Sequence, residues 1–326
     1  MVTTANESET KTCKHCGSPA RFLGKNRGGT LRFQCRSCKK TFTQNPTHVF
    51  TSEEYLNEAR GQLAIQLLVE GTSVRTAERI TGLHRDAILK LLVVAGERAE
   101  SLMDRLIQNV PATDVQADEM WNFIGKKESH KGPEEAHNDE IGDCYNWVAM
   151  DRKTKLVLAF VVGRRTAQSA MDLMRKLRRA TSAATRFQLT TDGLQAYIPA
   201  VDEMLMDRCD YGQLIKTYAQ PQENERRYSP AECTGAYRVV VSGNPDEAKI
   251  CTSHVERQNL TMRMQIRRLT RLTNAFSRKL ENHRAAIALH FAYYNFCRIH
   301  GTLRVTPAME GGIADHVWSL GELLIS

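Results

Sequence analysis

Two closely spaced cysteine pairs near the start of the chain are the feature that most constrains its fold. They follow the pattern C-x2-C-x18-C-x2-C over Cys13, Cys16, Cys35 and Cys38. Each C-x2-C turn can place two thiolates on one metal ion, and two such turns complete the tetrahedral coordination that zinc prefers. A redox C-x2-C motif is not expected twice at this spacing. The pattern therefore predicts a structural Zn²⁺ site in a zinc ribbon, residues 1–50.

The segment between the cysteine pairs predicts two strands, "ARFLGK" and "TLRFQC", joined by a turn at residues 26–29. A ribbon with so little core needs its metal to fold. Its many lysines and arginines predict contact with nucleic acid, the alternative being an ordinary solvated surface.

The composition of the whole chain limits the class of protein. The 326 residues are long for one compact domain, and a net charge of +8 suits a polyanionic partner. An odd total of 9 cysteines argues against a disulfide framework. The polar N-terminus and the absence of a long apolar run predict no secretory signal and no membrane span. We expect a cytoplasmic protein.

Residues 51–110 predict a second DNA-binding unit. A helix ending near Gly71 is followed by a short helix, a break at Gly82 and a longer helix that runs on until Pro111. This order is typical of a helix-turn-helix, in which the second helix would present Arg85 and Lys90 to a DNA groove. The alternative is an ordinary helical hairpin that serves as a linker or a dimer contact.

Residues 111–326 alternate between strand and helix patterns. Their order is three strands, helix, strand, helix, strand and then further helices. That order predicts a ribonuclease H-like domain, and makes the whole chain a multi-domain α/β protein. Polar residues 126–140 form an insert that we expect to be a flexible loop. Residues 219–250 form a second insert, in which "YRVVVSG" predicts an added strand.

Three acids far apart in the sequence could meet at one edge of this sheet. Asp118 lies in the first predicted strand, Asp192 ends the fourth, and Glu256 lies on a later helix. Carboxylates are the ligands that two Mg²⁺ ions require, with positions left open for phosphate oxygens. Glu119 competes with Asp118, and strand alternation puts the two on opposite faces, so that only one should serve. Each acid alone is more simply a surface, turn or helix-end residue.

The stretch "HVERQNLTMRMQIRRLTR" begins with Glu256 and continues with a row of arginines. Continued as one helix, it would place Arg263, Arg267 and Arg271 near the face that carries Glu256. The simpler interpretation is a solvated basic face. We favour a phosphate track that leads from a catalytic carboxylate, with Arg257 and Arg268 flanking it.

Four stretches, "QADEMWNFIGKK", "TTDGLQAY", "TSHVERQNLTMRMQIRRLTRLTNAFSRK" and "YYNFCRIHGTLRVTPAM", resemble DDE transposases of bacterial insertion sequences, the insertion-sequence-one group in particular. The resemblance implies that Asp118, Asp192 and Glu256 bind catalytic Mg²⁺, with Mn²⁺ as an alternative ion. It also implies recognition of terminal inverted repeats by the N-terminal units, a target DNA, association with the nucleoid, and assembly as a homo-oligomer on paired DNA ends.

The implied reaction is hydrolysis of a phosphodiester at the end of the element, followed by attack of the freed 3′-hydroxyl on target DNA. Two other functions fit parts of the sequence. One is a sequence-specific DNA-binding regulator with an inert core. The other is a ribonuclease H-like nuclease that cuts but does not join.

Overall fold

The computed structural model describes residues 11–13, 15–25, 31–43, 56, 58–219 and 233–325. By internal contacts the chain divides into two compact units, Met1–Thr51 and Ser52–Ser326. The turn predicted at residues 26–29 and residues 220–232 of the second insert lie outside the described residues.

The first unit contains a four-stranded antiparallel sheet in the order β1-β2-β3-β4. Its strands are β1 Lys11–Thr12, β2 Pro19–Lys25, β3 Leu31–Cys35 and β4 Thr41–Thr43. Phe33 is buried, and its ring lies 5.8 Å from that of Phe22 and 5.9 Å from that of Phe42. Because this aromatic cluster is small, the sheet has little apolar core of its own.

The second unit is built on a six-stranded sheet in the order β10-β9-β8-β5-β6-β7. Its strands are β5 Asp114–Ile124, β6 Gly142–Asp151, β7 Val157–Gly163, β8 Phe187–Asp192, β9 Cys209–Tyr218 and β10 Cys233–Ser242. Strands β5, β6 and β7 form an antiparallel meander, and β8 and β9 run parallel to β5. The predicted strand order is confirmed, and the added strand predicted at "YRVVVSG" is the antiparallel edge strand β10.

Nine helices in the described part of this unit accompany the sheet. They are α1 Ala59–Val69, α2 Val74–Thr81, α3 Arg85–Leu106, α4 Ala167–Ala180, α5 Tyr197–Leu205, α6 Ser253–Gln265, α7 Leu280–Phe296, α8 Pro307–Glu310 and α9 Leu320–Ile325. Among the described residues, no helix combines the length and the apolar character that crossing a membrane requires.

Local chemistry sets the boundaries of α2 and α3. The Ser73 hydroxyl accepts a hydrogen bond from the Thr76 backbone N–H and caps the start of α2. Gly82, at φ 71°, ends α2 in the left-handed conformation that glycine adopts most easily. The His84 ring accepts from the Asp86 N–H and caps α3. Two helices therefore meet at a tight glycine turn, at the positions that the sequence indicates.

Helix α3 packs closely along α7. A Cβ atom built on Gly96 would lie only 2.3 Å from the Ala285 Cα atom, so that no larger side chain fits without a shift of the backbone. The helices of residues 59–106 thus belong to the same compact unit as the sheet, and residue 110 does not separate two compact units.

The polar insert 126–140 is held by ion pairs. Two short 3₁₀ turns, Glu128–His130 and Pro133–Glu135, occupy it. Glu128 pairs with Arg164 at 2.5 Å and with Lys131 at 2.9 Å. Because these contacts tie the insert to itself and to the end of β7, the expectation of a flexible loop is wrong.

Candidate active site

Asp118 and Asp192 come together at the carboxyl end of β8. Strands β5 and β8 pair in parallel from Asp114↔Gln188 to Gln116↔Thr190, and there the pairing ends. Two residues further along each strand stand Asp118 and Asp192. Their carboxylates, with that of Glu119, offer oxygens that all lie within 4.8 Å of one another. The predicted meeting of the two aspartates therefore occurs in the structure.

Glu119 is part of the same cluster, although alternation does send its side chain to the other face of β5. Tyr197 on α5 donates a hydrogen bond to one Glu119 oxygen at 3.0 Å, and Arg165 pairs with the other at 2.8 Å. Since β5 and β8 are no longer paired at this level, acids from both faces reach the open edge. The inference that only one of Asp118 and Glu119 can serve does not hold.

Burial makes ionisation of these acids costly. Burial, and then the charges of Asp192 and Glu119, raise the pKa of Asp118 to about 8. Burial and the Asp192 charge raise the pKa of Glu119 to about 7, and burial also raises the pKa of Asp192. Three acids at such separations repel one another when ionised, and a divalent cation among them removes that repulsion. The oxygen donors fit Mg²⁺ or Mn²⁺.

The start of α6 is fixed to strand β5. Gln116, buried two residues before Asp118, accepts hydrogen bonds from the backbone N–H groups of His254 and Val255 at 3.0 and 3.1 Å. Helix α6 has no side-chain cap of its own at Thr252, so Gln116 supplies acceptors for its free N–H groups. This contact positions Glu256, which follows directly.

Glu256 stands beside the aspartates but outside the tight cluster. One of its oxygens contacts the Lys216 ammonium, from β9, and the Thr252 hydroxyl. One turn further along α6, the Asn259 side-chain amide donates to Asp118 at 2.8 Å. Asn259, one helical turn after Glu256, therefore links the helix of Glu256 to Asp118. The Glu256 carboxylate itself forms an ion pair with Lys216.

The arginines after Glu256 do not form one helical stripe. Helix α6 ends at Gln265, and Ile266 is extended and buried. Arg267 lies in a 3₁₀ turn, Arg267–Leu269, and Arg271 follows outside any helix. The prediction that these arginines continue one helix is wrong, since the chain leaves the helix at Ile266 and both Ile266 and Leu269 are buried. Arg257, Arg267 and Arg271 are exposed.

Two of the arginines, Arg268 and Arg263, make contacts with other residues of the chain. Arg268 donates to the Ser277 hydroxyl at 3.2 Å and to the Asn282 carbonyl at 2.7 Å, and burial lowers its pKa to about 10. Arg263 is half-buried, and its Nε atom points to the Met120 sulfur at 3.2 Å. These contacts favour a structural role for Arg268 over the predicted phosphate contact.

The four N-terminal cysteines form a second candidate metal centre. The sulfur atoms of Cys13, Cys16, Cys35 and Cys38 all lie within 4.8 Å of one another. Backbone N–H groups point at the sulfurs, from His15 to Cys13 and from Ser37 to Cys35. Hydrogen bonds from Ser18 lower the pKa of Cys16 to about 6, which favours the thiolate that a metal needs. The donor set suits zinc.

Arg85 and Lys90, the residues expected to face a DNA groove, are exposed near the start of α3. Among the described residues, neither the Arg85 guanidinium nor the Lys90 ammonium forms an ion pair with an acid of the same unit. The structure thus leaves both side chains on the surface, at a distance from the buried face that packs against α7.

Several side chains of the site were missed by the sequence reasoning. Lys216, Arg165 and Tyr197 come from three separate elements, and no local pattern marks them. Two others had a signal: Gln116 shares a strand face with Asp118, and Asn259 shares a helix face with Glu256.

Comparisons with known proteins agree with this geometry. The profile of a DDE domain family matches residues 141–229, and that of the IS1 transposase family matches residues 234–297. The first stretch contains Asp192 and the second Glu256, whereas Asp118 precedes both. The insertion element iso-IS1n protein InsB of Shigella dysenteriae is 27% identical over 184 residues, which are 56% of this chain and 95% of that protein.

Solved structures with some likeness are transposases as well. One is a piggyBac transposase in a synaptic complex with hairpin DNA, with a TM-score of 0.38 and 13% identity over 86% of this chain and 72% of that chain. Another is the Mos1 strand transfer complex, with a TM-score of 0.22 and 14% identity over 52% and 60%.

The sequence matches and the acidic cluster support a DDE transposase, a metal-dependent enzyme that cuts and transfers DNA. Within that class, residues 234–297 are similar to the transposases of the IS1 family.

Proposed function

We propose that Asp118, Asp192 and Glu256 carry the transposition chemistry, with Glu119 as a fourth acid of the same centre. The observation that carries this proposal is the convergence of three partly buried carboxylates within 4.8 Å at the open edge between β5 and β8. Glu256 stands one helical turn from Asn259, which holds Asp118. The strand order supports a ribonuclease H-like domain, in which such an edge holds divalent ions.

Asp118 and Asp192 would hold Mg²⁺, or Mn²⁺ in its place, and Glu256 would join them after leaving Lys216. When bound, the ions supply Lewis acidity for the attacking and leaving oxygens of phosphoryl transfer. One Asp192 oxygen accepts from the Leu194 N–H at 3.0 Å, which orients the carboxylate and leaves its other oxygen for a ligand. The chain thus positions both reactants, and the freed 3′-hydroxyl then attacks target DNA at the same centre.

The basic surface would hold the DNA. Arg257 is exposed on α6 next to Glu256, and Arg267 and Arg271 are exposed beyond the end of the helix; all three suit phosphate contacts. Cys13, Cys16, Cys35 and Cys38 would hold a structural Zn²⁺, making a zinc ribbon of the first unit. The α2-turn-α3 pair would act as a helix-turn-helix, with Arg85 and Lys90 on its second helix. We assign both to recognition of the terminal inverted repeats, and expect a dimer or larger assembly on two paired ends.

A strand-transfer assay tests this function. Purified protein is incubated with Mg²⁺, supercoiled target plasmid and a labelled duplex of the element end that flanks the gene. Asp192→Asn should abolish both cleavage and joining, and Glu256→Gln should abolish joining. Asp202→Asn, a change of an exposed acid on α5, is the matched control and should behave as the unchanged protein.

Other outcomes would redirect the assignment. Cleavage without joining would indicate a nuclease, and tight end binding without either reaction would indicate a regulator. Full strand transfer by Glu256→Gln would exclude Glu256 from the site.

A further inference from the structure

An aromatic surface adjoins the acidic cluster. Trp121 follows Glu119 by two residues on β5, so both side chains leave the same face of the strand, about 7 Å apart along it. Trp121 is directly opposite Tyr145 on β6. Its ring lies 5.9 Å from that of Phe123, which in turn lies 4.9 Å from that of Phe276. We call Trp121, Phe123, Tyr145 and Phe276 the aromatic strip.

Trp121 lies where the helices on this face leave the sheet uncovered, whereas Phe123, Tyr145 and Phe276 are half-buried. Tyr145 pairs with Gly163, the last residue of β7. Helix α4 starts just beyond, and its Ser169 stands so close to Gly163 that a Cβ there would lie 2.9 Å from the hydroxyl. Trp121 and Phe123 occupy the strand end outside that position. Trp121 accordingly keeps 37% of its surface exposed, although it is a large apolar side chain.

Cations stand over these rings. The Lys127 ammonium lies 5.7 Å from the centre of the Trp121 ring, and the Arg165 guanidinium lies 5.8 Å from the centre of the Tyr145 ring. Arg165 also pairs with Glu119, so one side chain joins the aromatic strip to the acidic cluster. An exposed aromatic ring next to cations is a surface on which single-stranded nucleic acid stacks.

We propose that the aromatic strip binds an unpaired base of the element end, next to the phosphodiester that is cut, with Trp121 as the stacking residue. This inference rests on the proposed function. Lys127 and Arg165 supply the charge that a nucleotide needs, and the strip is continuous with the acids that act on its phosphate. A base that leaves the helix gains a partner here, which offsets part of the cost of unpairing it.

The experiment uses the full chain, Mg²⁺ and two labelled duplexes of the flanking element end, one fully paired and one with mismatches at the terminal base pairs. Trp121→Ala, Trp121→Phe and the unchanged protein are compared at saturating protein. We expect Trp121→Ala to slow cleavage of the paired end by roughly tenfold, the effect of losing one base stack. The mismatched end should restore most of that rate, because it needs no unpairing. Trp121→Phe should keep the rate on both ends.

Fluorescence gives a readout independent of cleavage. Among the 3 tryptophans, Trp147 is buried and Trp318 packs on Phe296. End DNA should therefore quench the unchanged protein in the inactive Asp192→Asn background, and Trp121→Phe in that background should lose the quenching.

Each contrary outcome identifies what failed. Equal rates for Trp121→Ala and the unchanged protein on the paired end would overturn the aromatic strip as a base site. So would an equal loss on both duplexes, which would indicate damage to the fold. Trp121→Ala could also sediment differently from the unchanged protein while cleaving the two duplexes in the same ratio. That result would show that the strip is a contact between copies of the chain. Activity in the Asp192→Asn control would instead overturn the proposed function itself.

Discussion

The side-chain amide of Asn259 donates a hydrogen bond to Asp118 at 2.8 Å, and so ties the helix that carries Glu256 to the strand that carries Asp118. Residues in the second layer around a metal orient the carboxylates that bind it. Asn259, together with Gln116, therefore holds two acids 138 positions apart in a common geometry.

Removal of this hydrogen bond should weaken the metal site without unfolding the protein. We expect Asn259→Ala to lower Mg²⁺ affinity by about 10- to 100-fold, the usual effect of losing such a partner. The Mg²⁺ dependence of strand cleavage and Mn²⁺ titration calorimetry would both measure it. Thr261→Ala, on the same helix, is the control. Unchanged Mn²⁺ affinity in Asn259→Ala would show that α6 is held by other contacts alone.

Removal of the Lys216 side chain should strengthen metal binding, whereas removal of the Asn259 side chain should weaken it. Its ammonium contacts the Glu256 carboxylate, so a metal ion has to compete with it for that oxygen. We expect Lys216→Ala to bind Mn²⁺ about two- to fivefold more tightly, because the pair is partly exposed and contributes little. Calorimetry would measure this, with Lys249→Ala as a control that removes an exposed pair with Asp246. Weaker binding in Lys216→Ala would mean that the lysine orients Glu256 for the metal.

The contribution of Asp118 and Glu119 to the stability of the metal-free protein should fall as pH rises. Burial raises the pKa of Asp118 to about 8 and that of Glu119 to about 7, above their unfolded values. Between about pH 4 and pH 8 the folded state thus binds more protons than the unfolded state. The part of the free energy of unfolding that these two acids contribute is highest at the acid end of this window and declines through it, with a slope from Asp118 of up to about 1.4 kcal/mol per pH unit.

Urea unfolding in EDTA across this pH range measures the slope. Asp118→Asn should flatten it, while the exposed Asp202→Asn should leave it as it is. A slope that is the same in all three proteins would mean that Asp118 is ionised in the folded state throughout.

The cysteine cluster should hold zinc. Cys35 is buried and lies with Cys13, Cys16 and Cys38 around one point. We expect Cys35→Ser to lose the bound Zn²⁺ and to expose residues 11–43 to protease, because the small sheet depends on its metal. Elemental analysis and limited proteolysis would show both effects. Cys233→Ser, a change of an exposed cysteine on β10, should retain the zinc. Full zinc content in Cys35→Ser would exclude the four-cysteine site.

The sequence by itself determined the local features of this protein. Short-range chemistry predicts the four-cysteine cluster, the end of α2 at its glycine, and the order of strands and helices. The structure has all three where the sequence indicates. The pairing of β5 with β8, and with it the approach of Asp118 and Asp192, was expected from the ribonuclease H-like fold that the order of strands and helices predicts.

Only the tertiary structure decided how the site is completed. Glu119 reaches Asp118 and Asp192 because the pairing of β5 and β8 stops at Gln116. Alternation along one strand contains no information about where its pairing with a neighbouring strand stops. Three other parts of the chain contribute the remaining side chains of the site, Lys216, Arg165 and Tyr197. The arginine row leaves its helix because Ile266 and Leu269 are buried against the core, a gain that no helical spacing reveals. Packing between distant segments, rather than local propensity, set these positions.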